Sequence, residues 1–154
     1  MSGELDVRPM DFQNVNQVAE LEKVCFSQPW SLDSLLGELL NPNAVYLTAM
    51  RGEIVLGYLG MHQIIDEGYI NNLAVAPGYR RQGIANTLLR ELINHAREQR
   101  LAFLTLEVRA SNKEAIALYG GLGFAPAGLR KNYYTIPAED AVIMTLNMGG
   151  AGEA

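Results

Sequence analysis

The chain has 154 residues, 49 % of them apolar, and a formal net charge of -5. That length predicts one domain that buries roughly two thirds of its unfolded surface, and disorder is not expected. The charge argues against a general nucleic-acid binder, which depends on many phosphate contacts. The basic residues that cluster, at Arg80/Arg81, Arg97/Arg100 and Arg130/Lys131, fit a local anionic ligand better than a polyanion.

In chain order, Leu5 to Arg8 alternates and predicts a short edge strand. Phe12, Val15, Val18, Leu21 and Cys25 recur at helical spacing and predict a first helix. "QPW" breaks it, and Ser31 stands where an N-cap would start a second helix carrying Leu32, Leu35, Leu36, Leu39 and Leu40. After the "NPN" turn at Asn41 to Asn43, strands are expected over Ala44 to Met50 and Ile54 to Ile64, joined by "RGE" as a hairpin. "DEG" at Asp66 to Gly68 leads into a strand over Tyr69 to Val75, which Pro77 and Gly78 end. A long helix from about Gly83 to Gln99 follows, with Ile84, Leu88, Leu92 and Ala96 spaced by fours. Ala102 to Val108 reads as a strand, and Asn112 to Tyr119 as a short helix stopped by Gly120, Gly121 and Gly123. Phe124 to Leu129 and Ala141 to Leu146 are the last two strands, joined by the polar, aromatic "RKNYYTIPAED" read as a loop. A domain over residues 1–148 is expected, with a disordered tail at 149–154. Hairpins followed by a β-α-β crossover predict a mixed sheet with helices on its faces, an α/β (α+β) fold.

Cys25 is the only cysteine, so neither an intrachain disulfide nor a cysteine-based zinc site can form. It falls on the apolar face of the first helix, and core packing is expected of it. His62 and His95 lack metal-ligand spacing and are expected to be structural or solvated; no metal is expected. The opening "MSGELDVRPM" has no apolar signal-peptide core, and no apolar run approaches a membrane span. A soluble cytoplasmic protein is expected, with neither membrane nor direct nucleic-acid partners; the oligomeric state stays open.

The stretch "APGYRRQGIANTLLREL" asks for an anion. Gly78 and Gly83 have P-loop spacing, but Ile84 and Ala85 stand where that motif needs Lys and Ser/Thr. The dinucleotide fingerprint fails too, since the chain reads G-I-A-N-T-L from Gly83. A pyrophosphate held by backbone N–H groups at a helix N-terminus fits, because Gly and Ala let the backbone approach and the helix dipole favours negative charge. A plain strand-to-helix turn with two solvated arginines is the alternative.

Arg80, Gly83 and Ala85 match the acetyl-CoA motif [QR]-x-x-G-x-[GA], and the chain resembles the GCN5-related N-acetyltransferase (GNAT) family. "NLAV", "RRQGIA", "LEVRASN", "AIALY", "LGF", "KNYY" before "EDAVIM", and "PWS" also resemble its ribosomal-protein alanine N-acetyltransferase group. The resemblance implies a single GNAT-fold domain with a mixed, mostly antiparallel sheet of about seven strands and about four helices. It also implies acetyl-CoA as co-substrate. Leu73, Ala74 and Val75 would offer backbone groups to the pantetheine arm and the thioester carbonyl. Arg81, Gln82, Gly83, Ile84, Ala85 and Asn86 would wrap the pyrophosphate, and Asn112 would hydrogen-bond the CoA arm. Ala85 stands where many relatives carry Gly, and "GGLGF" has one extra glycine at a helix end.

Making an amide from a thioester needs a neutral amine, donors for the oxyanion and a proton for the thiolate. In "FLTLEVR", Leu104, Leu106 and Val108 point to one face, and Thr105, Glu107 and Arg109 to the other. Glu107 lies near the carboxyl end of its strand, where open α/β sheets bind ligands. The resemblance puts the base there; an Arg-paired or solvated surface glutamate is the alternative. Tyr119 shares a helix face with Asn112 and is the candidate acid, against a core tyrosine with its hydroxyl at the surface. An α-amine titrates near pH 8 and a lysine near 10.4, so a modest base suits a protein N-terminus by about 3 kcal/mol.

In the resembling group the acceptor is the N-terminal alanine of a small-subunit ribosomal protein. Phe26, Trp30, Tyr133 and Tyr134, with the acidic pair Glu139/Asp140, are the candidate lining of the acceptor groove. Core packing is the competing reading for Phe26 and Trp30. A GNAT enzyme for a small amine and a non-catalytic acyl-CoA-binding module are the rival readings of the same pattern.

Overall fold

A computed structural model describes residues 4–149. Its strands and helices run β1 (Asp6–Pro9), α1 (Val15–Cys25), α2 (Leu32–Leu39), β2 (Ala44–Arg51), β3 (Ile54–Ile64), β4 (Glu67–Val75), α3 (Ile84–Glu98), β5 (Phe103–Arg109), α4 (Lys113–Gly121), β6 (Ala125–Thr135) and β7 (Ala138–Asn147). The strands make one seven-stranded sheet in the order β1-β2-β3-β4-β5-β7-β6. The pair β4–β5 is parallel, while β1–β2, β2–β3, β5–β7 and β6–β7 are antiparallel. This is the expected mixed, mostly antiparallel α/β architecture. The chain divides into two compact units, the first reaching Gln63 and including Asn72–Asn94, the second comprising Ile64–Asn71 and the chain from His95 onward.

In the first unit, α1 presents Val15, Val18, Ala19 and Leu21 to a core with Leu35, Tyr46, Met50, Val55, Tyr58 and Ala74. Phe12 does not join it. The Asp11 carboxylate accepts from the Gln13 and Asn14 amides, and the Asn14 side chain accepts from the Asp11 amide. This reciprocal turn delays the helix to Val15 and leaves Phe12 66 % exposed. Ser31 caps α2 as its residue type predicts, accepting the Ser34 amide at 3.1 Å. That helix closes at Leu39, and Leu40 beyond it is exposed. Gly60 lies opposite Tyr46 on β2, and a Cβ there would fall 2.5 Å from the tyrosine ring. A glycine is therefore what lets Tyr46 lie flat across β3.

Within that core sits a polar group the apolar pattern hides. Glu22 is 1 % exposed. Its carboxyl accepts the Trp30 amide at 2.8 Å and the Tyr58 hydroxyl at 2.6 Å. Burial, then the Glu22 hydrogen bond, push the Tyr58 hydroxyl far above the usual tyrosine range.

In the second unit, β5 alternates as predicted, with Leu104, Leu106 and Val108 buried and Thr105, Glu107 and Arg109 half-buried. Gly120 and Gly121 complete the last turn of α4 instead of ending it at Tyr119; Gly123, at φ 104, makes the exit. The Tyr119 carbonyl accepts both the Leu122 and Phe124 amides there. The stretch read as a loop is mostly strand. β6 runs through Tyr133 and Tyr134 to Thr135, β7 resumes at Ala138, and Ile136 and Pro137 form the turn. Periodicity misses it because β6 lies at the sheet edge and is exposed along nearly its whole length. Its register also shifts twice, the second time between Arg130 and Tyr134, where Asn132 takes φ 54. Of the expected tail, only Gly149 is described; residues 150–154 lie outside the described residues.

Candidate active site

The cofactor-side candidates other than Asn112 lie in the first unit. Leu73, Ala74 and Val75 end β4, and Ala74 is buried while its neighbours are half-buried. The Val75 carbonyl accepts from Arg80 Nε at 3.2 Å, and Arg80 Nη2 lies 3.7 Å from Cys25 Sγ. Arg80 thus turns back onto the strand end. Cys25 packs half-buried against the apolar core, as its helical position suggested.

Beyond a 3-10 turn at Pro77–Tyr79, Arg81 takes φ 63 and Gly83 φ 80. Left-handed residues in a turn gather consecutive N–H groups into an anion-binding concavity. Space around Gly83 is open, so its φ, not crowding, calls for glycine. The Gly83 carbonyl receives the first helical bond from the Thr87 amide and a second from the Thr87 hydroxyl, both at 2.9 Å. The amides of Ile84, Ala85 and Asn86 open the first turn of α3, where no intrahelical acceptor exists for them. Ile84 is buried and anchors that turn. Asn86 Oδ1 accepts Arg90 Nε at 2.6 Å, which commits this side chain to the helix surface. Gln82 is exposed between the two left-handed residues. Such a turn suits a pyrophosphate-bearing ligand: backbone donors, the positive end of a 15-residue helix, and an open approach.

The first unit also holds two acceptor-side candidates. Trp30 packs against the core and is held by its amide on Glu22, whereas Phe26 is exposed just past α1. His62 Nε2 meets Glu38 Oε1 at 2.8 Å, a structural tie between β3 and α2.

The second unit brings together Glu107, Tyr119, Tyr133 and Tyr134. Arg130 Nε donates to Glu107 Oε2 at 3.0 Å, leaving the carboxylate side chain 26 % exposed. The Arg-paired alternative is thus realised, and the group still reaches solvent. Tyr119 is 7 % exposed, with its ring tilted on Phe124 at 5.7 Å between centroids. Burial, and second the Tyr134 hydroxyl, push its own hydroxyl up to about 12, so it stays a proton donor at neutral pH. Tyr134 is likewise pushed up to about 12, chiefly by burial, then by Tyr133, with Glu107 and Glu139 adding and Arg109 opposing. Tyr133 packs edge-on against Tyr134 at 5.0 Å and is half exposed. Asn112 caps α4, its Oδ1 accepting the Ala115 amide at 3.1 Å, which commits that oxygen and leaves its amide nitrogen as the group for a ligand.

The acidic pair is used differently from the expectation. Glu139 accepts the Ser111 amide at 2.6 Å and Arg109 Nη1 at 3.3 Å; the Ser111 hydrogen bond chiefly holds its carboxyl below the usual range. Asp140 Oδ1 accepts the Asn132 amide at 2.8 Å. Both carboxylates secure the β6–β7 hairpin. Arg130, which clusters with Lys131 in the sequence, turns its guanidinium to Glu107. Sequence reasoning passed over Arg109; its place two residues after Glu107, on the same strand face, was the available signal.

Among the described residues, no helix is long and apolar enough to cross a membrane, and no group of three His, Cys, Asp or Glu side chains could hold a metal ion. Residues 15–124 match the Acetyltransferase (GNAT) family. The chain is 38 % identical over 139 residues to the [ribosomal protein bS18]-alanine N-acetyltransferase of Haemophilus ducreyi, covering 87 % of this chain and 94 % of that one. It is 34 % identical over 142 residues to the N-alpha-acetyltransferase RimI of Mycobacterium tuberculosis, covering 88 % of each. The crystal structure of the ribosomal-protein-S18-alanine N-acetyltransferase from Escherichia coli superposes with a TM-score of 0.89 at 33 % identity, over 97 % of both chains. With the crossover, the left-handed turn and these near-full-length likenesses in hand, the chain belongs to the GNAT acetyltransferase family and is an acyltransferase.

Proposed function

We propose that the chain transfers an acetyl group from acetyl-CoA to the α-amine of a protein N-terminus, the N-terminal alanine of a small-subunit ribosomal protein, in the cytoplasm. The observation that carries this reading is the 38 % identity over 139 residues to a protein named for that reaction. The ends of β4 and the turn at Arg81–Asn86, with Asn112, would bind acetyl-CoA, and the backbone geometry of that turn fits a pyrophosphate. Glu107, directly or through a water, takes the proton that the amine must lose to attack. Tyr119, whose raised hydroxyl stays protonated, donates to the departing thiolate. Phe26, Trp30, Tyr133 and Tyr134 contact the acceptor.

Three acceptors test the proposal: an Ala-initiated peptide, an N-terminally blocked peptide with a single lysine, and a polyamine, each with acetyl-CoA. Mass spectrometry then locates the acetyl group. Acetylation of the α-amine of the first peptide is the expected result. Preference for the polyamine overturns the acceptor, and binding of acetyl-CoA without turnover on any of the three overturns the catalysis.

A further inference from the structure

Arg109 ends β5, two residues beyond Glu107 and on the same face. Its guanidinium carries four contacts at once. Nη1 donates to the Pro137 carbonyl at 2.9 Å and to Glu139 Oε1 at 3.3 Å. Nη2 donates to the Ile136 carbonyl at 3.0 Å, and the guanidinium carbon lies 4.2 Å from the centroid of the Tyr134 ring. Glu139 spends its other oxygen on the Ser111 amide just past β5. Both carbonyls of the β6–β7 turn, the Glu139 carboxylate and one aromatic ring therefore converge on one planar cation.

The backbone ladder does little of that holding. β6 is an edge strand, and its register breaks between Arg130 and Tyr134. Only the pairs Tyr134↔Glu139 and Thr135↔Ala138 remain between the break and the turn. A two-pair hairpin tip is marginal by itself. The Tyr134 ring is thus placed by side-chain contact, and it stands where the charges of Glu107 and Glu139 reach it and where it acts on Tyr119. Lysine could not replace this arrangement, because a point charge neither forks onto two carbonyls nor stacks.

We propose that Arg109 is a positioning residue for acetyl transfer, clamping the β6–β7 turn and the Tyr134 ring so that the acceptor's amino end meets a preformed surface. This rests on the acceptor role given above to Tyr133 and Tyr134. The guanidinium's own contacts fall on the turn, on Glu139 and on the Tyr134 ring, so its loss is read first in the acceptor's KM.

The test compares the parent with Arg109→Lys and Glu139→Gln, varying acetyl-CoA and the Ala-initiated peptide separately. For Arg109→Lys, the peptide KM rises about tenfold, with kcat and the acetyl-CoA KM within about twofold, as expected for loss of two or three hydrogen bonds and a stack that act only on acceptor placement. Glu139→Gln, which leaves Arg109 in place, raises the peptide KM by a smaller factor of about three and covers the case in which Arg109→Lys fails to fold. Hydrogen exchange of the amides between Tyr134 and Glu139 is at least about tenfold faster in Arg109→Lys, while β5 amides keep their rates. An unchanged peptide KM in both variants, or a fall in kcat with both KM values unmoved, overturns the clamp. Parental turnover on the Ala-initiated peptide tests the proposed function independently. If the parent uses only the polyamine, the acceptor reading is lost and the clamp for a peptide acceptor with it.

Discussion

Replacing Glu22 by alanine tests whether a buried carboxyl, not apolar packing alone, fixes the passage from α1 to α2. The substitution removes the acceptor of the Trp30 amide and of the Tyr58 hydroxyl. Tyr58 is fully buried, so water cannot replace the lost partner. Each buried donor left unpaired costs about 1–3 kcal/mol. The Trp30 amide is only part-buried, so water softens that half of the loss. A small cavity adds about 1 kcal/mol, giving a total of about 3–4 kcal/mol. Against a total stability of about 5–15 kcal/mol this is a large fraction. Urea unfolding reads it directly: with m of about 2 kcal/mol/M, the midpoint falls by about 1.5–2 M at unchanged m. Glu22→Gln, whose amide offers one acceptor oxygen where two donors converge, loses about 1–2 kcal/mol. Tyr58→Phe completes a double-mutant cycle, and Glu22→Ala and Tyr58→Phe should couple by about 1 kcal/mol or more. A midpoint within about 0.3 M of the parent for both Glu22 variants would refute the reasoning.

Gly83→Val places a β-branched residue at φ 80; it should lower stability by about 1–2 kcal/mol and weaken acetyl-CoA binding more than that strain alone explains, read by urea unfolding and calorimetry. Glu107→Gln and Tyr119→Phe should each lower kcat by about a hundredfold or more while acetyl-CoA affinity stays within about threefold, measured by turnover and equilibrium binding; parental kinetics in either would remove that residue from the mechanism. Tyr119 supplies a pH prediction. Its hydroxyl is raised from the ordinary value to about 12, so the folded chain holds a proton that the unfolded chain loses above about pH 10. Its contribution is complete below pH 10 and disappears as pH climbs to 12, a loss of about 3 kcal/mol. Tyr119→Phe should show a shallower fall in thermal midpoint between about pH 10 and 12, the window that this titration spans.

Periodicity and residue chemistry sufficed wherever one element's own face decides the outcome. The α3 stripe of Ile84, Leu88, Leu92 and Ala96 is buried, β5 alternates, and Ser31 caps α2, each from interactions within a few residues. The glycine-bearing turn before α3 was legible for the same reason, whereas the left-handed backbone of Arg81 within it was not. Tertiary structure decided what depends on distant partners. The Glu22 carboxyl meets a hydroxyl 36 residues away, and Arg109 meets a carbonyl 27 residues away. No local pattern announces either contact. It likewise turned Glu139, Asp140 and Arg130 from apparent ligand groups into intramolecular ones, because a charge is claimed by the nearest complementary group that folding delivers. The β6 strand escaped for a related reason. An exposed edge with a broken register has no apolar alternation, and only pairing with β7 makes it a strand.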